Sequence, residues 1–138
     1  MTFIFDTTLF SALMEGRLKL ANSLRGRLLA TDEQLRAMRA SPNETLYSRF
    51  RLGRSAFITD GTPGGDGQDV EWEQNGPDFD ELAAHLGSER HPEWKADVGV
   101  VEVALNEKAI LVSDRRNLRA LMEHFEGQSI SSPQVLQH

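Results

Sequence analysis

Residues 2–16 read Thr2-Phe3-Ile4-Phe5-Asp6-Thr7-Thr8-Leu9-Phe10-Ser11-Ala12-Leu13-Met14-Glu15-Gly16. The first four are a short run of β-branched and aromatic residues, which reads as a buried strand. Asp6-Thr7-Thr8 follows, then an amphipathic stretch from Leu9 to Met14. Gly16 suits the turn that closes a helix. A strand that passes straight into a helix is one β-α unit, and the pattern recurs along the chain. Leu28 to Ala30 is a second short strand. Thr31 and Gln34 have capping-box spacing, so a helix opens there with Leu35 and Met38 as its apolar stripe. Pro42 interrupts it, and Asn43-Glu44 can restart a helix towards Phe50. Ser55 to Thr59 is the candidate third strand.

The second half repeats the alternation. Phe79, Leu82, Ala83 and Leu86 mark a short amphipathic helix ending at Gly87. Lys95 to Glu107 reads as another helix, with Val98, Val101, Ala104 and Leu105 on its buried face. Ala109 to Val112 is a buried strand, Asn117 to Phe125 a helix stopped by Gly127, and Ile130 sits in a last short strand. Strands alternating with helices predict an α/β fold: a three-layer α/β/α sandwich with a mainly parallel central sheet, in one domain over 1–138. In such sheets the chemistry gathers at the carboxyl ends of the strands.

Composition narrows the function classes. The 138 residues carry 15 Lys+Arg and 21 Asp+Glu, with 39% hydrophobic and 26% charged residues. These are ordinary values for a globular domain. The absence of cysteine excludes disulfides, thiolate zinc sites and a cysteine nucleophile. No apolar run approaches the roughly 20 residues of a membrane span. The opening residues lack the basic start of a secretory signal, so a cytoplasmic protein with no membrane partner is expected. Charge is unevenly distributed. Residues 59–107 carry 13 Asp+Glu against 2 Lys+Arg, whereas residues 1–58 carry 9 Lys+Arg against 5 Asp+Glu. A chain of negative overall charge can therefore still present a basic face. The segment from about 60 to 77 is acidic and glycine-rich, and reads as a loop. It lacks the Gly-Lys-Ser/Thr ending of a phosphate cradle.

Asp6 follows directly after the first strand, and Asp114 follows the strand ending at Val112 with one residue between. Both are expected at the same sheet edge. Asp97 lies in the first turn of the Lys95–Glu107 helix, where the helix dipole favours a carboxylate. Three carboxylates in one cleft repel one another unless a cation neutralises them, and a hard divalent ion suits oxygen ligands. Local capping and turn chemistry also accounts for Asp at such positions.

Three stretches carry a family resemblance. Phe3-Ile4-Phe5-Asp6-Thr7-Thr8-Leu9-Phe10-Ser11-Ala12-Leu13 resembles the opening of PIN domains, an apolar strand followed by Asp-Thr-Asn and an amphipathic helix. Lys95-Ala96-Asp97-Val98-Gly99-Val100-Val101-Glu102 is similar to the helix that carries their third acid. Ala109-Ile110-Leu111-Val112-Ser113-Asp114-Arg115-Arg116-Asn117-Leu118 resembles their following strand and its acidic ending, and Ser131-Ser132-Pro133 echoes their tail. The resemblance covers the two ends of the chain. It implies a metal-dependent endoribonuclease of VapC-like toxin type, in which Asp6, Asp97 and Asp114 hold Mg²⁺ or Mn²⁺ or activate water. The implied partners are an RNA substrate, an antitoxin protein and a second copy in a homodimer. Arg36, Arg39, Arg115 and Arg116 are the candidate RNA-binding residues.

The chain departs from that pattern. Ala37 stands where the second acid belongs; Glu33, four residues earlier, could reach the site from the same helical face or serve as a first-turn acid. Thr8 replaces the usual Asn and could offer a hydroxyl in its stead. The fourth acid is Asp114 in one alignment, while another puts Arg115 in that slot. A PIN-like binding or regulatory module with a degenerate site is therefore the alternative function. His85, His91, His124 and His138 show no metal-ligand spacing, the serines lack a nucleophile-elbow signature, and Trp72 and Trp94 flank the acidic region.

Overall fold

The structure, a computed structural model, describes residues 1–21, 24–40, 46, 48–53, 79–87, 91 and 94–137. It is an α/β sandwich built on a five-stranded, all-parallel sheet of order β4-β3-β1-β5-β6. The strands are β1 (Thr2–Phe5), β3 (Arg27–Ala30), β4 (Phe50–Leu52), β5 (Ile110–Val112) and β6 (Gln128–Ile130). The described helices are α1 (Thr7–Met14), α2 (Asp32–Arg39), α3 (Phe79–Leu86), α4 (Lys95–Glu107) and α5 (Arg116–His124). A short 3-10 helix spans Ser132–Gln134.

Alternation along the strands divides the core into two layers. Phe3 and Phe5 of β1, Leu28 and Ala30 of β3, and Val112 of β5 face α1 and α2, where they meet Leu9, Phe10, Leu13 and Met38. Ile4, Leu29 and Leu111 face the other way, onto Leu82, Val98, Val101, Leu118 and Met122 of α3, α4 and α5. Successive side chains of a strand point to opposite faces, so a run such as Phe3-Ile4-Phe5 is apolar throughout because both faces are covered. Helix α4 is enclosed on more sides than one apolar stripe predicts: Val100, Val103, Glu102 and Asn106 are buried as well. It packs on β1 and β5 and is flanked by α1, α3 and α5.

Strand order places a crevice. From β1 the chain works outward through β3 to β4, then returns to lay β5 against the other side of β1 and ends the sheet with β6. The direction of winding thus changes between β1 and β5. Loops that leave two adjacent strands in opposite senses open a cleft at their carboxyl ends.

Several expected boundaries shift. The strand beside β3 is Phe50–Leu52, so Phe50 begins a strand instead of ending a helix. Ser55 to Thr59, and the acidic glycine-rich segment, lie outside the described residues. A second sheet was not anticipated: β2 (Lys19–Leu20) pairs antiparallel with β7 (Leu136–Gln137). Two-residue strands carry too little periodicity to be read from sequence. The capping box at α2 is present in full. Gln34 N donates to Thr31 Oγ1 at 3.1 Å, and Thr31 N donates to Gln34 Oε1 at 3.0 Å. Among the described residues no helix is long and apolar enough to cross a membrane.

Gly53 shows how closely the layers approach. It follows β4 directly, its N donates to Ala30 O at 2.9 Å, and a Cβ built there would collide with Val103 Cγ1 of α4. Val103 is itself 2% exposed and has nowhere to move. Gly53→Ala should therefore destabilise the protein by about 1–3 kcal/mol, the usual cost of overpacking. A urea unfolding midpoint unchanged from wild type would contradict this packing.

Candidate functional site

The site is built at the ends of β1 and β5. Asp6 N donates to Val112 O at 3.1 Å, which clips the two strand ends together, and Asp6 then caps α1 by accepting from Leu9 N at 2.8 Å. Asp97, in the first turn of α4, reaches the same helix start: Thr7 N donates to Asp97 Oδ1 at 2.9 Å. Each aspartate is 1% exposed. Two buried carboxylates therefore meet at the amino terminus of α1, where unpaired N–H groups and the helix dipole favour negative charge.

Ser113 and Arg115 complete the cluster from the loop after β5. Ser113 Oγ donates to Asp6 Oδ2 at 2.5 Å, and the same oxygen accepts from Arg115 N at 3.0 Å. Arg115 Nη1 donates to Asp97 Oδ2 in an ion pair whose arginine side chain is 29% exposed and whose carboxylate is 2% exposed. Gln34 joins from α2, its Nε2 donating to Phe5 O at 3.0 Å. Ser113 and Gln34 were not anticipated as site residues. Their signals were present, a hydroxyl just after an apolar strand and the glutamine of a capping box, but neither pattern reveals a partner distant in sequence.

The anticipated residues divide. Asp6 and Asp97 come together. Asp114 does not join them: it is exposed, its Oδ1 accepting from Ser132 N at 2.7 Å and its Oδ2 from Ser132 Oγ at 2.6 Å. Ser113 and Arg115 point to the cluster, while Asp114, at a bend between them, points to Ser132. Glu33 and Ala37 are both exposed on α2, and Gln34 is the buried residue of its first turn. Thr8 is exposed, with no side-chain hydrogen bond among the described residues. Arg36 is exposed and ion-paired with Asp32 at 2.7 Å, and Arg39 is exposed in the last turn of α2. Arg116 is exposed at the start of α5. Of the four arginines, Arg115 is the one shown on a carboxylate of the cluster among the described residues.

The donor set can be tested against a divalent cation. Mg²⁺ and Mn²⁺ need several oxygens whose lone pairs face one point, with anionic charge to balance the ion. Here each of the four oxygens of Asp6 and Asp97 already accepts a hydrogen bond, and one donor is a guanidinium. Asp114 is turned to Ser132, and among the described residues no three His, Asp or Glu side chains gather as ligands. As it stands, the cluster holds two carboxylates, with the Arg115 guanidinium paired to Asp97. The described histidines are engaged elsewhere: the His85 and His124 rings lie 4.5 Å apart at a tilt of 44°, and His91 stacks on Trp94 at 4.0 Å. His138 and Trp72 lie outside the described residues.

Ionisation follows from these surroundings. Burial pushes the Asp6 carboxyl above its ordinary value of 3.8; the hydrogen bonds from Ser113 and Leu9 oppose this, the Asp97 charge adds to it, and Arg115 offsets it. The bonds from Ser132 hold Asp114 below 3.8. No family model matches the chain, and no curated protein is detectably similar to it.

The two shifts have opposite consequences for stability. A raised carboxyl binds protons more readily folded than unfolded, so its contribution is complete below about 3.8 and is lost as pH rises through the folded value. A lowered carboxyl contributes above about 3.8, and that contribution is lost as pH falls through its folded value. In urea unfolding from about pH 2 to pH 7, Asp6→Asn should remove a component that falls with pH, and Asp114→Asn one that rises with pH. Identical pH profiles for both variants would refute the assignment.

Proposed function

We propose that this chain is a PIN-like binding or regulatory module whose carboxylate site is occupied by its own Arg115 and does not carry out metal-dependent hydrolysis. The Arg115–Asp97 ion pair supports this reading most directly. In one alignment Arg115 occupies the slot of the family's fourth acid, and Ala37 takes that of the second. Both substitutions remove negative charge from the place where a divalent ion would need it. Asp6 and Asp97 retain a structural task, capping α1 and joining it to α4. As a binding module, the domain would engage the partner classes that the PIN resemblance implies: RNA through exposed arginines such as Arg36, Arg39 and Arg116, an antitoxin-like protein, or a second copy.

One observation favours a second reading. Asp6 and Asp97 are buried together at the cleft where the winding of the sheet reverses, the usual location of chemistry in such folds. That reading is a Mg²⁺- or Mn²⁺-dependent endoribonuclease, a VapC-like toxin, and it requires Arg115 to release Asp97.

Titration calorimetry with Mn²⁺ separates the two. The binding-module reading expects no saturable heat from wild type at millimolar metal, a gain of binding in Arg115→Ala, and intact single-stranded RNA after incubation with wild type. Saturable binding by wild type that is lost in Asp97→Asn, together with RNA cleavage, would overturn it in favour of the nuclease. Asp97→Asn should also lower stability by up to about 3 kcal/mol, the low end for a broken buried pair, because Arg115 keeps partial access to water.

A further inference from the structure

A groove of about 670 Å³ runs between α5 and the outermost strand β6, away from the carboxylate cluster. Its lining includes Arg116, Arg119, Glu123, Gln128, Ser129 and, on the apolar side, Ile110. Arg119 carries the informative atom. Its Nε is buried and has no hydrogen-bond partner, alone among the buried side-chain nitrogens and oxygens of the described residues. Leaving such a donor unpaired costs about 1–3 kcal/mol, and more where the group is charged. Asp114 lies within electrostatic reach of the Arg119 charge but gives Nε no hydrogen bond. Glu123, one helical turn on, forms no ion pair with Arg119 among the described residues, and both oxygens of Asp114 are held by Ser132.

The geometry points to a site for a phosphate-bearing organic ligand in this groove. Arg116 and Arg119, three residues apart, project from one face of α5. The guanidinium fork donates to two oxygens of a tetrahedral anion at once, and Nε, shut from solvent, becomes one arm of that fork when the Arg119 side chain turns to the groove. Gln128 and Ser129 add neutral donors from β6, the last strand of the sheet, which leaves this side of the groove open. Glu123 lines the same groove, so the anion belongs at the Arg116 end. The volume lies within the range of about 300–1,000 Å³ typical of small-ligand pockets. Nothing in the inference depends on whether the Asp6–Asp97 cluster binds metal.

The test is an amide chemical-shift titration of the full chain with inorganic phosphate, with uridine monophosphate and with a short oligouridylate. Saturable shifts are expected at Gln128, Ser129 and the first turn of α5. Binding should weaken by about tenfold or more in Arg119→Lys, which keeps the charge but loses the fork, and in Ser129→Glu, which places a carboxylate in the groove. Tighter binding of the mononucleotide than of phosphate identifies a free ligand. A further gain with the oligonucleotide identifies the same group within a nucleic-acid chain. Shifts that fail to saturate, that persist unchanged in both variants, or that centre on Arg115 and Asp97 would overturn the proposal.

Discussion

Two carboxylates buried side by side at the end of one strand are the constraint around which this molecule is arranged. Asp6 and Asp97 are shut away from water, and a charge in that position is tolerated only if donors surround it. Four donors come from two parts of the chain: the N–H groups of Thr7 and Leu9 at the start of α1, and the Ser113 hydroxyl and Arg115 guanidinium of the loop after β5. Each contact ties one element to another. Together they fix β1 against β5 and draw α4 across the sheet onto the start of α1.

That arrangement explains why α4 is buried almost all round. Its first turn must deliver Asp97 to α1, and its body must cover β1 and β5 between α3 and α5. Gly53 allows the edge of the sheet to meet it closely. Removing either partner of the Arg115–Asp97 pair would leave an uncompensated charge near the layer interface, which is far more costly than replacing both. The cluster is therefore structural in the first instance, whatever else it does.

Arg115 changes what such a cluster can do. Ser113 and Arg115 both reach the carboxylates from the loop after β5, while Asp114, at the bend between them, turns to Ser132. A spacing argument treats Asp114 and Arg115 as near neighbours at one strand end. In space a single residue step separates an acid facing Ser132 from a base facing Asp97, and the net charge of the cleft changes with it.

Much of the architecture is legible from residue order. Apolar runs such as Phe3-Ile4-Phe5 and Ile110-Leu111-Val112 specify strands covered on both faces, Thr31 with Gln34 specifies the start of α2, and the stripe from Val98 to Leu105 specifies α4. These signals are local, set by periodicity and by side chains that satisfy backbone groups three or four residues away. They also place Asp6 directly after a strand and Asp97 in the first turn of a helix, whereas the expected companion of Asp6 at the sheet edge, Asp114, turns to Ser132. What the sequence left open depended on contacts across long separations: β4 at Phe50–Leu52, the β2–β7 pair, Gln34 on Phe5, and Ser113 on Asp6, 107 residues apart. Whether Asp114 or Arg115 joins Asp6 and Asp97 was decided only by tertiary structure, because the direction in which each faces is fixed by packing around the strand end and not by their order in the chain.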